Sequence, residues 1–128
     1  MLKIITASML AISLAGVSVA NAKTVEPAKV VTIGKEILLA DAKGMTLYTY
    51  DKDTAGKSDC TLLCAAAWPP LMAKAGAKAS GEWSLVKRAN GSMQWAYKGA
   101  PLYTYRLDTR PGATSGEGVE GEWHIAKP

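Results

Sequence analysis

Phenylalanine is absent from the chain, and histidine occurs once, at His124. Without phenylalanine, every aromatic ring (four Trp and five Tyr) carries a polar atom that needs a hydrogen-bond partner if the ring is buried. With one histidine and only two cysteines, Cys60 and Cys64, little side-chain chemistry remains open. The chain has no C-x-x-C in a βαβ setting, no G-x-S-x-G, no H-E-x-x-H and no phosphate-cradling glycine loop. A Cys–His nucleophile pair is the only one that could be assembled, and it requires Cys60 or Cys64 to meet His124 in space. No catalytic residue is assigned, and the chain reads as non-enzymatic. Long basic runs are also missing. The formal net charge of +4, one unit of which is Lys3, is spread along the sequence, and its longest basic cluster is Lys87-Arg88. Aromatic residues do not interleave with these charges as they do in nucleic-acid platforms, so no nucleic-acid partner is expected.

The first residues have the pattern of an export signal. Lys3 supplies a positive start, Ile4 to Val19 an apolar stretch, and Ala20-Asn21-Ala22 a small-residue cleavage site. The apolar run falls short of the roughly 20 residues that a membrane span needs. Residues 1–22 are therefore expected to be a cleaved signal peptide, 23–29 a flexible lead-in, and 30–128 one β-rich domain. That places the mature protein in the periplasm or outside the cell, soluble and with no transmembrane span. No cysteine sits at the cleavage point, so lipid attachment is not expected.

What the chain does contain is a repeat. Gly44-Met-Thr-Leu-Tyr-Thr-Tyr-Asp-Lys-Asp53 returns as Gly99-Ala-Pro-Leu-Tyr-Thr-Tyr-Arg-Leu-Asp108, and the same 55-residue offset carries Trp68 onto Trp123. Duplication of this kind signals repeated supersecondary units, here spanning about 44–71 and 99–128. Each half is too short to be more than marginally stable alone, so the copies are expected to share one core.

Local patterns predict a mainly β fold of about seven short antiparallel strands with one short α-helix near residues 59–67. Val30 to Ile33 and Ile37 to Ala40 flank a Gly34-Lys35 turn. Thr46 to Asp51 alternates, with Leu47 and Thr49 on one face and Tyr48 and Tyr50 on the other. Ser58 or Asp59 is placed to cap a helix running to Ala67, with Pro69-Pro70 stopping it. Trp83 to Lys87 and Met93 to Tyr97 surround Asn90-Gly91, which suggests a two-residue hairpin turn. Leu102 to Arg106 and Trp123 to Ala126 complete the strands. Between Asp108 and Gly121 the second copy is rich in glycine and cannot repeat the first copy's helix.

Tyr48, Tyr50, Tyr103, Tyr105, Trp68 and Trp123 stand at matched positions and have two readings, as packed core or as a ligand-stacking surface. Asp53 and Asp108 are expected to close turns by accepting loop N–H groups or a tyrosine hydroxyl. A calcium loop through Asp51, Asp53 and Asp59 is not supported, because Leu62 occupies the place of the bidentate glutamate. For Cys60 and Cys64 an oxidising compartment favours a disulfide. On one regular helix their Cα atoms would lie about 6 Å apart, near the upper limit for such a bond. A copper site using Cys60, Cys64, His124 and Met93, or a redox-active thiol pair, therefore remains open.

With these motifs assembled, GMTLYTYDKD, C-TLL-C-AAAWPPL, QWAYKGAPLYTYRLD and GEWHIAKP, the chain resembles the bacterial secreted-repeat proteins. These are described as predicted lipoproteins with a Yx(F/W/Y)xxD motif. The resemblance implies export, a duplicated β-rich unit and a relationship between Cys60 and Cys64, and it brings no established activity. The expected function is an exported, non-enzymatic binding or envelope-accessory role, without a cofactor. Its partner would be a small molecule or an envelope component. Copper binding or thiol redox through the C-x-x-x-C pair is the alternative.

Overall fold

The computed structural model describes residues 27–128. The expected signal peptide and the start of the lead-in lie outside them. Within them the protein is mainly β, with antiparallel strands and one short helix. In chain order the elements are β1 (Lys29–Ile33), β2 (Glu36–Ala40), β3 (Tyr48–Tyr50), α1 (Leu63–Ala67), β4 (Trp83–Lys87), β5 (Met93–Tyr97), β6 (Ala100–Pro101) and β7 (Trp123–Ile125). A single 3-10 turn, Val119–Gly121, precedes β7. Three small sheets form: β1–β2, β3–β7 and β4–β5–β6.

The two copies are interlocked. The Tyr48 N–H donates to the Tyr103 carbonyl at 2.8 Å, and the Tyr103 N–H returns to the Tyr48 carbonyl at 3.0 Å. An approximate two-fold axis passes between these residues, and bonds on either side come in matched pairs. Asp51 N–H donates to Glu122 O at 2.8 Å, and its counterpart Arg106 N–H donates to Ala67 O at 2.9 Å. Thr49 faces His124 in the β3–β7 register, while Thr104 N–H donates to Pro69 O at 2.8 Å. Each Leu-Tyr-Thr-Tyr segment therefore pairs with the tail of the other copy.

The hairpins that precede each copy continue the symmetry. Leu39 in β2 donates its N–H to Ala126 O and accepts from the Leu47 N–H, and Trp95 in β5 likewise donates to Leu71 O and accepts from the Leu102 N–H. The repeating unit thus begins with a hairpin, β1–β2 in one copy and β4–β5 in the other. Ala28, at the end of the expected lead-in, is already buried in the core.

The alternation along β3 decides which side chains meet. Leu47 and Leu102 enter one apolar cluster with Leu39, Trp83 and Ala126. Tyr48 and Tyr103 enter the other with Trp68, Trp123, Leu38 and Ile125.

Three local expectations change. The helix begins at Leu63 and is not capped by Ser58 or Asp59, and Leu62 before it has φ 54. Ser58 and Asp59 are engaged elsewhere: the Ser58 hydroxyl bonds to that of Tyr103 at 2.6 Å, and the Asp59 N–H donates to Asp53 Oδ1 at 2.7 Å. The β4–β5 connection is a three-residue loop and not a two-residue turn. Arg88 N–H donates to Ser92 O at 2.8 Å, Gly91 N–H to Arg88 O at 2.9 Å, and Gly91 has φ 86. This is the type I turn followed by a left-handed residue that is common in such hairpins. Finally, Leu102 to Arg106 holds only isolated bridges where a strand was expected. Its partner carries Pro69 and Pro70, which have no N–H to return, so the ladder is one-sided.

Candidate functional site

The repeat motif builds an aromatic column across the two-fold axis. Trp68 and Trp123 stack face to face at 3.8 Å with planes 2° apart. Tyr105 stacks on the outer face of Trp68 at 3.9 Å, and Tyr50 on Trp123 at 4.3 Å. Tyr48 meets Trp68 edge-on at 5.4 Å, and Tyr103 meets Trp123 likewise at 5.2 Å. Tyr48, Tyr103, Trp68 and Trp123 are buried, so these four offer no surface on which a ligand could stack. Only Tyr50 and Tyr105, at the ends of the column, are partly open to solvent.

The buried hydroxyls find their partners across the axis. Tyr48 donates to Asp108 Oδ2 at 2.5 Å, and Tyr103 donates to Asp53 Oδ2 at 2.6 Å. Each aspartate thus serves the tyrosine of the other copy while fixing its own loop. Asp108 also accepts from the Ser115 N–H at 2.9 Å and from the Ser115 hydroxyl, as Asp53 accepts from the Asp59 N–H. Burial, reinforced by the carboxylate at the hydroxyl, pushes both phenols well above their ordinary range. Burial likewise raises the Asp53 carboxyl, against the lowering effect of its two donors. Both hydroxyls thus stay protonated and donate to the carboxylates near neutral pH.

The copies part in the loops after the aspartates. In the second copy the backbone presses against the rings: a Cβ on Gly116 would lie 2.8 Å from Tyr48 and 2.9 Å from Trp68. In the first copy it is Cys60, fully buried, that enters the cluster with Tyr103 and Trp123. Cys60 is joined to Cys64 in a disulfide with a Cα separation of 5.2 Å. The bond forms because Cys60 precedes the helix, beyond Leu62 with its positive φ, and the two cysteines do not share one regular helix.

Arg88, reaching from the end of β4, holds this loop down. Its Nη1 donates to Ser58 Oγ at 3.0 Å and to the buried Gln94 at 2.8 Å, and its Nη2 donates to Cys60 O at 2.7 Å. This network was not legible in the sequence, where Ser58 reads as a helix cap and Arg88 as half of a basic pair, since isolated polar residues carry no periodic signal. Opening the disulfide by Cys60→Ala/Cys64→Ala is expected to cost about 2 kcal/mol, the value for so short a loop. The loss should appear in urea unfolding, and hydrogen exchange should rise in the loop and leave the β3–β7 ladder protected.

With both sulfurs in the disulfide, no thiolate is present for copper. Among the described residues, no group of three or more His, Cys, Asp or Glu side chains is arranged to hold a metal ion. Of the remaining candidate ligands, Met93 pairs with Lys87 at the edge of the β4–β5 hairpin. His124 lies between two carboxylates, Nε2 at 2.9 Å from Asp51 and Nδ1 at 3.7 Å from Glu117. The Asp51 hydrogen bond raises the His124 pKa above the ordinary 6.5. A raised folded-state value means the proton stabilises the fold below about pH 6.5 and that this gain is lost as pH rises through the folded value. The pair is largely exposed, so His124→Gln should lower the melting temperature by only about 1–3 °C at pH 5.5 and by less at pH 8.5.

This geometry defines a class: a duplicated, disulfide-stapled small β domain whose two copies exchange tails and share one aromatic core. A family profile described as a secreted repeat of unknown function matches residues 33–72 and 84–127, well over half the chain. The protein belongs to that secreted-repeat family. Each match begins within the preceding hairpin, in keeping with the hairpin-led unit of the fold. No curated protein and no solved structure matches the chain. Among the described residues, no helix is long and apolar enough to cross a membrane.

Proposed function

We propose that the protein is an exported, non-enzymatic binding or envelope-accessory module whose contact face is the Cys60–Cys64 loop. One observation carries this reading: Leu62 and Leu63, adjacent at the loop tip, are 88% and 87% exposed. Two neighbouring leucines held in water are out of place in a loop with only a scaffolding role. They are also held at a conformational cost, because Leu62 has a positive φ that a leucine rarely adopts. The disulfide and the Arg88 bonds keep them there. The repeat motif itself is consumed in packing, which leaves the segment where the copies differ as the place for a specialised role. The lone histidine is engaged with carboxylates and the cysteines with each other, which argues against a Cys–His nucleophile.

Hydrogen exchange of the purified protein, with and without an isolated cell-envelope fraction, tests this reading. Slower exchange confined to residues 61–66 is the expected result. Uniform protection, or protection centred on β1–β2, would remove its basis.

A further inference from the structure

We propose that the Leu62–Leu63 tip docks the protein on an anionic lipid surface; this rests on the loop being the contact face. The tip is convex and small. A protein interface typically buries about 800 Å² on each partner, far more than two leucines supply. A bilayer interface needs no matching shape and accepts a short apolar wedge. Beside the tip runs a groove of about 320 Å³ lined by Leu62, Ala65, Pro70, Met72 and Arg88, in which Met72 is itself 47% exposed. Apolar surface therefore continues behind the two leucines.

Charge supports the same occupant. Basic residues occur throughout the sequence, but their acidic counterparts do not. Residues 57–98 hold Lys57, Lys74, Lys78, Lys87, Arg88 and Lys98 against only Asp59 and Glu82, a net +4. The rest of the described chain, 27–56 and 99–128, carries seven basic and eight acidic residues, a net −1. Within the basic segment Glu82 is already opposite Lys98, at 3.9 Å. Part of this excess lies near the tip: Arg88 lines its groove, exposed Lys87 adjoins Arg88 in the chain, and Lys74 lines a second groove that shares Met72 with the first. A buried leucine raises partitioning by about 10-fold or more, and a basic residue near an anionic membrane adds about 5-fold. Neither contribution alone holds a protein at a membrane. Together they give reversible binding that weakens with salt.

Co-sedimentation with vesicles of mixed phosphatidylethanolamine and phosphatidylglycerol, and with phosphatidylcholine vesicles, decides the matter. The protein is expected to bind the anionic vesicles at low salt, to be released at high salt, and to bind the neutral ones weakly. Leu62→Gly with Leu63→Ser should reduce that binding by about 10-fold or more. Glycine accepts the φ 54, ψ −120 backbone at residue 62, so the melting curve should be preserved. Val30→Ser with Ile37→Ser, which removes exposed apolar groups outside the basic segment, should leave binding unchanged. The proposal is overturned by equal binding to both vesicle types, or by binding that survives the leucine changes. It is also overturned if anionic vesicles bind nothing while envelope material still protects residues 61–66; the contact face would then stand with a partner other than lipid.

Discussion

Trp68→Ala is expected to destabilise the protein by about 3–5 kcal/mol, a large part of the total stability of an ordinary domain. The ring is almost fully buried, stacks on Trp123 at 3.8 Å and Tyr105 at 3.9 Å, and receives the edge of Tyr48 at 5.4 Å. Its removal leaves a cavity at the two-fold axis. It also loses aromatic contacts worth about 0.5–1.5 kcal/mol each beyond their buried area. The backbone at Gly116, which already lies against this ring, cannot collapse into the gap without moving the Asp108 loop. Thermal unfolding should show a drop of roughly 10 °C or more. A loss below about 1 kcal/mol would mean that the column is incidental to the fold.

Asp108→Ala is the second large effect, expected at about 3 kcal/mol or more. The carboxylate is buried and takes three donors: the Tyr48 hydroxyl, the Ser115 N–H and the Ser115 hydroxyl. Without it the Tyr48 hydroxyl remains inside with only the Gly116 N–H, at 3.2 Å, beside it. An orphaned buried donor costs about 1–3 kcal/mol, and charge-assisted bonds are lost in addition. Asp53→Ala at the matching position should cost less, about 1–2 kcal/mol. There Ser58 still meets the Tyr103 hydroxyl at 2.6 Å, and Asp53 is only partly buried. Urea unfolding of the two variants side by side checks the order. Equal losses would mean that the neighbouring groups, and not burial, set the cost.

Much of this fold was legible before any coordinates. Gly34-Lys35, the alternation in Leu-Tyr-Thr-Tyr and the β4 and β5 segments are local signals, and local signals fixed those strands. The tail exchange was not legible, because a gapless repeat reads the same whether each tail folds back on its own copy or crosses to the other. One clue lay in the spacing. Tyr48 and Asp53 are five residues apart, with the first two of those steps along an extended strand that rises about 3.3 Å per residue. A hydroxyl partner from the other copy was the simpler geometry. Phenylalanine would not serve at Tyr48 or Tyr103, whose hydroxyls tie the copies together. The helix expected over 59–67 was shortened by competition: Ser58 and Asp59 have better partners in the loop than in a cap. The exposed tip at Leu62 and Leu63 could not be seen, because leucines beside alanines read as a buried helix face.

The central claim is that the two copies form one folding unit because each completes the other. Cutting the connector between Met72 and Trp83 gives two chains, each with its own hairpin and Leu-Tyr-Thr-Tyr segment but with a tail that belongs to the other chain. Circular dichroism and tryptophan fluorescence of each fragment alone, and of the equimolar mixture, test this directly. Each fragment alone should be largely unfolded, and mixing should restore the β signal and the buried tryptophan emission. A fragment that folds cooperatively by itself would contradict the interlocked account.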